Sequence, residues 1–342
     1  FEVIIMAERK VGLKKEASFG VGESTVSFYA ELSSFNPKIE GENLTRETLS
    51  ARAPKIVRPG EYSQSLDFEG FADLERLGHF LYGVFGDYAY TAGESGQPNI
   101  HEFWGGNTRL LPSFTFFAAF DEFKRKYVGT IINNLKIDMK KELITFTGKG
   151  IAKSASEVTT LPPEPSKPTG FKDTPLAFYE TTVKIDGSDL PAPAQNLTIE
   201  VENEIKKDLA FGLGSRFMQI QPPAQSRTVT LELDTAVLND QWNSIIKKAE
   251  FGDATATSPG YTVGEVSAEV TVNPLDDSGN ELTIKMPSAT LEVDYGIKGT
   301  DVIDLKFKMT GLQRSEITLQ NNTTVETDCY VKLKNHMTNI SA

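Results

Sequence analysis

Three histidines, one cysteine and forty-seven carboxylates are the side chains of this chain that could carry chemistry, and their spacing argues against it. His79, His101 and His336 have no ligand-like spacing to one another or to Cys329, so no zinc motif is present. His101-Glu102 opens a Glu-x-x-Gly stretch and lacks the second histidine of a metalloprotease helix. The pairs Gly20/Gly22 and Gly212/Gly214 have no third glycine and no strand–turn–helix setting, so they are not a dinucleotide site. Neither a phosphate-binding loop nor a Gly-x-Ser-x-Gly elbow is present. A carboxylate-pair hydrolase needs two acids set apart from the rest, and nothing singles out two. Asn273 to Glu281 has oxygen ligands enough for calcium, but without helix–loop–helix spacing a hairpin turn is favoured. No catalytic residue, cofactor or metal is expected.

The elements that could position a function are mostly strands. Alternating or β-rich runs cover Thr25–Leu32, Ser65–Gly70, Phe114–Phe120, Ile131–Asp138 and Leu143–Thr147, the last ending at Gly148. A second series covers Leu197–Val201, Thr228–Leu233, Val266–Val272, Leu282–Lys285, Thr290–Val293 and Ile303–Met309. One amphipathic helix is predicted in each series. Leu74, Leu77, Leu81, Val84 and Phe85 form the first stripe, with Asp73 as N-cap and Gly86 as C-cap. Val237, Leu238, Trp242, Ile245 and Ile246 form the second, with Thr235 as cap and Gly252 as stop.

The two series read as one domain written twice. Phe85-Gly86-Asp87 matches Phe251-Gly252-Asp253, and Phe28-Tyr29-Ala30-Glu31 has an echo in Phe178-Tyr179-Glu180. The interval from Asp87 to Gly148 is 61 residues and that from Asp253 to Gly311 is 58. Between the copies, four prolines within Pro162–Pro168 make a stiff connector that no sheet or helix could hold. The expected domains are 7–158 and 176–342, with a linker over 159–175. Two long segments, 36–64 and 186–227, are expected to be hairpin arms that reach a neighbour, since embedded Leu44, Ile56, Phe211 and Phe217 argue against disorder. The strand-like runs Ile317–Leu319 and Cys329–Leu333, after Gly311, fall outside the repeat as a decoration or an inter-ring strap.

Composition narrows the class. With 39% hydrophobic residues the chain can bury a core, and 342 residues suit two domains. No apolar run is long enough to cross a bilayer, Phe1–Met6 lacks the basic flank of a signal peptide, and Met6-Ala7 looks like an ordinary start. The net charge is −12, of which residues 161–342 carry −10 (16 basic, 26 acidic). A protein that grips nucleic acid should be basic, because neutralising phosphates drives binding; this one is the reverse.

The run Val128-Gly-Thr-Ile-Ile-Asn-Asn-Leu-Lys-Ile-Asp138, followed by Glu142-Leu-Ile-Thr-Phe-Thr-Gly-Lys-Gly150, resembles the tail tube proteins of long-tailed bacteriophages. The order of strand, helix, Gly-rich loop and Pro112-Ser113-Phe114-Thr115 ahead of it is similar too, best over residues 20–155. The resemblance implies a mainly β fold: two tandem β-sandwich or half-barrel domains, each with a flanking helix and a long arm. It implies homotrimeric, pseudo-hexameric rings stacked into a tube that conducts the genome from the virion into the host. The partners implied are further copies of the chain, a tape-measure protein and double-stranded DNA in the bore, and tail terminator and tail-tip proteins at the ends, with no membrane insertion. Arg46, Arg52, Lys55, Arg58, Phe211 and Phe217 are the candidate inter-subunit arm residues; Asp138, Glu142, Asp301 and Asp304 are the candidate acids of the bore. The competing expectation is a carbohydrate- or receptor-binding β-sandwich, which exposed aromatics near Phe103-Trp104 would favour.

Overall fold

The computed structural model describes residues 9–46, 53, 56–94, 96–236, 242–275, 279–296 and 304–341. In chain order the first half contributes β1 (Arg9–Lys15), β2 (Phe28–Ala30), β3 (Leu32–Glu40), β4 (Asn43–Arg46), β5 (Ile56–Pro59) and β6 (Ser63–Phe71). It continues with α1 (Leu74–Phe85), β7 (Asp87–Thr91), β8 (Asn99–Trp104), β9 (Ser113–Phe120), β10 (Phe123–Met139), β11 (Thr145–Ala152) and β12 (Ser154–Glu157). The second half contributes β13 (Thr181–Ile185), β14 (Ser188–Asp189), β15 (Ala194–Ile205), β16 (Ala224–Ala236), α2 (Asn243–Phe251) and β17 (Glu265–Val272). It ends with β18 (Glu281–Gly296), β19 (Asp304–Gly311), β20 (Ser315–Thr318), β21 (Thr324–Thr327) and β22 (Tyr330–Asn335). The protein is mainly β, and its paired strands are antiparallel. Except for the β4–β5 and β20–β21 ribbons, the strands join one barrel-forming hydrogen-bonded system.

One strand order occurs twice. The first half pairs as β1-β9-β10-β11-β6-β3. The second pairs as β13-β17-β18-β19-β16-β15. A helix follows the fifth strand of each order, β6 or β16. Bulges align the two: Leu32/Ser34 in β3 matches Ala194/Asn196 in β15, and irregularities recur between β9 and β10 and between β17 and β18. In that alignment Phe68 opposite Gly148 corresponds to Leu233 opposite Phe307. The large ring has changed strands. A Cβ on Gly148 would collide with the Phe68 ring, so the pair keeps its volume by trading sizes.

The halves are joined at two places. Asn134–Met139 of β10 pairs with Leu197–Glu202 of β15. β22 lies between β8 of the first half and the N-terminal part of β18. Arg227 adds a buried bidentate bond to Asp328 (Nε–Oδ2 2.9 Å) and donates to the Gly106 carbonyl at 3.1 Å. One hydrophobic core runs through both halves.

Several expectations change. β11 does not stop at Gly148; its alternation continues to Ala152. The runs at Leu282 and Thr290 are one strand, β18. Thr235 caps no helix: it pairs inside β16, where its hydroxyl donates to the Pro193 carbonyl at 3.1 Å. Val237 and Leu238 lie outside the described residues. Phe178 is not the counterpart of Phe28. It is an exposed residue of a 3-10 turn before β13, whereas Phe28 is buried in the strand after β1. Segment 186–227 is part strand: β15 fills Ala194–Ile205 and β16 begins at Ala224, and the loop between them, 206–223, stands where the first half has its arm and packs against the base of that arm through Phe217 and Tyr62. Segment 36–64 does extend as a hairpin, carrying the β3–β6 ladder on into β4–β5. The residues after Gly311 divide: β22 pairs with both halves of this chain and staples them together, while β20 and β21 form a separate two-stranded ribbon. The proline-rich segment docks on the first half, with the Tyr29 hydroxyl donating to the Pro162 carbonyl at 2.6 Å.

Candidate assembly interface

Alternation in the paired strands puts one set of side chains in the core and the other on a polar sheet face. Leu135, Ile137, Ile199, Val201, Leu231 and Phe307 point inward and are buried. The residues between them carry charge, and register sets opposite signs side by side. Lys149 lies opposite Asp67, and Lys136 opposite Glu200. Lys308 is flanked by Glu232 and Glu292, and Lys306 by Asp234 and Asp294. Cross-strand pairs of this kind contribute roughly 0.2–1 kcal/mol each. Carboxylates exceed ammonium groups on this face, because Glu69 and Glu202 add to it without a lysine opposite.

The candidate bore acids separate. Asp138 is on this face but committed: the Thr198 hydroxyl donates to it at 2.7 Å, and Lys136 Nζ lies 3.3 Å away. Glu142 is exposed in the turn between β10 and β11. Asp304 opens β19 opposite Gly296, and Asp301 lies outside the described residues. Glu200, Glu232, Asp234, Glu292 and Asp294 were missed as face residues. Their signal is the alternation of Leu197–Val201, Thr228–Leu233 and Thr290–Val293, which Asp234 and Asp294 continue by one residue.

The arm candidates separate as well. Arg46 and Arg58 are exposed on the β4–β5 ribbon beside exposed Leu44, Ile56 and Val57. Arg52 and Lys55 lie outside the described residues. Phe217 is placed against the base of the same arm: its ring packs on Tyr62 at 5.4 Å, and Tyr62 N–H donates to the Arg216 carbonyl at 2.7 Å. Lys207 holds Glu40 at 2.8 Å beside this contact. Phe211 is half-buried in the same loop. The loop before β16 therefore braces the first arm within one chain.

The aromatics that would have favoured a glycan site do not form one. Phe103 is fully buried, and Trp104 is half-buried in the β8 ladder between β7 and β22. The buried polar groups serve structure. Glu16 accepts from the hydroxyls of Ser113 and Thr115 (both 2.8 Å) and from the N–H groups of Gly129 (2.8 Å) and Gly20 (2.9 Å). This fixes the irregularity between β9 and β10, where Gly129 has φ +67°. Among the described residues no three His, Cys, Asp or Glu side chains cluster to hold a metal. No helix among them is long and apolar enough to cross a membrane.

Fold and surface thus define a mainly antiparallel β protein whose features are strand edges, charge ladders and a projecting arm. The sequence profile of the phage tail tube proteins matches residues 6–311, and the chain belongs to that family. It is accordingly a structural component of a phage virion tail. No curated protein matches the chain.

Proposed function

We propose that three copies of this chain close into a ring with pseudo-sixfold symmetry, and that rings stack into a tube conducting double-stranded DNA into the host. The observation that supports this best is the duplicated strand order, joined internally through β10–β15 and ending in strand edges that no described strand covers. An exposed edge offers unpaired N–H and C=O groups, and a second copy satisfies them at low cost. A head-to-tail contact of this kind closes into a ring or propagates as a filament. Two modules per chain, 7–158 and 176–342 about a linker at 159–175, make six places from three chains.

The polar sheet face then lines the bore. Its excess of carboxylates holds phosphates off, so DNA passes without sticking. A tape-measure protein would share this lumen, and terminator and tip proteins would meet the same edges and arms at the tube ends. The exposed apolar side chains of the β4–β5 ribbon suit a neighbouring subunit, with Arg46, Arg52, Lys55 and Arg58 meeting its acidic groups. No catalytic step is part of this function. Electron microscopy of concentrated purified protein tests it: rings or tubes with three chains per ring are expected, and a strict monomer at all concentrations would reject it. Replacing Arg46, Arg52, Lys55 and Arg58 with Ser should lower the yield of tubes and leave the subunit's thermal unfolding unchanged. Normal tubes from that variant would remove the arm from assembly.

A further inference from the structure

The internal junction has a missing twin. β15 covers the C-terminal part of β10, from Asn134 to Met139. The aligned bulges make β18 the counterpart of β10 and β3 the counterpart of β15. Yet among the described residues β3 pairs only with β6, and no strand covers the β18 edge beyond Leu291. The Leu291 N–H is already taken by the Gly264 carbonyl at 3.2 Å, so the open edge starts at Glu292. In the alignment Glu292 is the counterpart of Asn134, where the internal junction begins.

We infer that residues 292–296 of β18 pair antiparallel with residues 36–40 of β3 from a second copy, in the register of the internal junction. This rests on the ring proposed above and specifies its contact. Transferring Leu135↔Val201 places Val293 opposite Ile39, and transferring Lys136↔Glu200 places Asp294 opposite Lys38. Tyr295 falls opposite Pro37.

Three observations support this register. Ile39 is 66% exposed and Tyr295 is 51% exposed, while Leu135 and Val201, at the covered junction, are buried. The open edges keep the apolar side chains and lack the cover. The charge at the central pair is complementary, with its sign reversed: Lys136 and Glu200 inside the chain, Asp294 and Lys38 between copies. Glu40, which falls opposite Glu292, is already neutralised by Lys207 at 2.8 Å.

Cysteine pairs test the register on assembled full-length protein. Cys329 is fully buried and serves as background. Oxidised rings of Asp294→Cys/Lys38→Cys should give disulfide-linked chains on a non-reducing gel, at least ~10-fold above Asp294→Cys/Ser34→Cys, whose second site lies about 13 Å further along β3. Rings that cross-link at Ser34 or at neither site overturn the register and leave the ring intact. Absence of any ring from the unmodified protein overturns both. A charge swap gives a second readout: Asp294→Lys should deplete rings several-fold, and Asp294→Lys/Lys38→Asp should restore them. Failure of the swap to restore rings counts against the register.

Discussion

Helices α1 and α2 occupy equivalent places and have opposite fates. Every residue of α1 except Tyr82 is buried, and no residue of α2 is. Each packs on the long strand of its own half, β10 or β18. Only α1 is covered from the other side. Gly78 lets β8, β22 and the chain end close on it, since a Cβ there would meet Ile340 and Leu333. Asn335 donates to the Leu74 carbonyl at 2.7 Å, and buried Glu75 accepts from the His336 N–H at 2.9 Å. Asn203, from β15, donates to the Val84 carbonyl at 2.8 Å at the helix's other end. α2 has none of these. Its anchor in the core is Trp242, fully buried just before its first turn and stacked on Phe307 at 5.1 Å, with half-buried Ile245, Ile246 and Ala249 packed beside it. The second half gives its C-terminal strand and its β15 to complete the first, and no described strand covers its own β18 beyond Leu291.

The sharpest test of that difference is a matched pair of truncations. Leu81→Ala in α1 should cost about 2–5 kcal/mol, because a full cavity opens under a closed roof. Ile246→Ala in α2, at a half-buried site, should cost less than about 1.5 kcal/mol in the isolated subunit. Urea midpoints of the two variants check this, and equal losses would mean that α2 is as enclosed as α1.

Acid should act through two buried histidines of the first half. Burial pulls His79 down to about 3, with His101 close by adding to the shift. Burial also pulls His101 down to about 4, against the opposing bond to the Met337 carbonyl. Both ordinary values are 6.5, so below that pH the unfolded chain binds the protons that the folded chain refuses. The stability of the neutral rings is whole above pH ~6.5 and drains as the pH falls toward ~4 and then ~3. His79, whose Nδ1 has no partner among the described residues and whose ring meets Phe28 edge-on at 4.6 Å, is the better probe. His79→Phe should flatten the fall in melting temperature between pH ~6.5 and ~4. An acid limb identical to that of the unmodified protein would sink this assignment.

The smallest effect is expected at the surface of α2. Lys248 reaches Asp186 at 2.6 Å, tying the helix to the turn after β13. The pair is partly exposed, so Lys248→Ala should cost less than about 1 kcal/mol, and less again at high salt. A larger loss would show that α2 depends on this tie.

Much of the secondary structure was legible because its signals are local. Asp73 accepts from the Arg76 N–H at 2.8 Å as the predicted N-cap, and Gly86 and Gly252 close the two helices at positive φ. The Gly148 stop failed because a glycine inside a strand resembles a terminator until the Phe68 ring that excludes a side chain is seen above it. The Phe178 echo failed because similar residue triplets carry no information about which strand they adjoin. Thr235 was mistaken for a cap because Ser, Thr, Asn and Asp before an apolar stripe look the same whether the chain has left the sheet or not.

By itself the sequence determined which stretches alternate, where α1 starts, where both helices stop, and that the chain would be β-rich and acidic. Those properties follow from side chains a few residues apart, whose polarity and conformational preferences act through the nearby backbone. Only the tertiary structure decided that β15 covers β10, that β22 staples the halves, and that no described strand covers the outer edge of β3 or the edge of β18 beyond Leu291. Strand pairing joins residues far apart in the chain, and every strand carries the same N–H and C=O groups. The choice of partner is therefore made by volume, charge and register across the whole sheet.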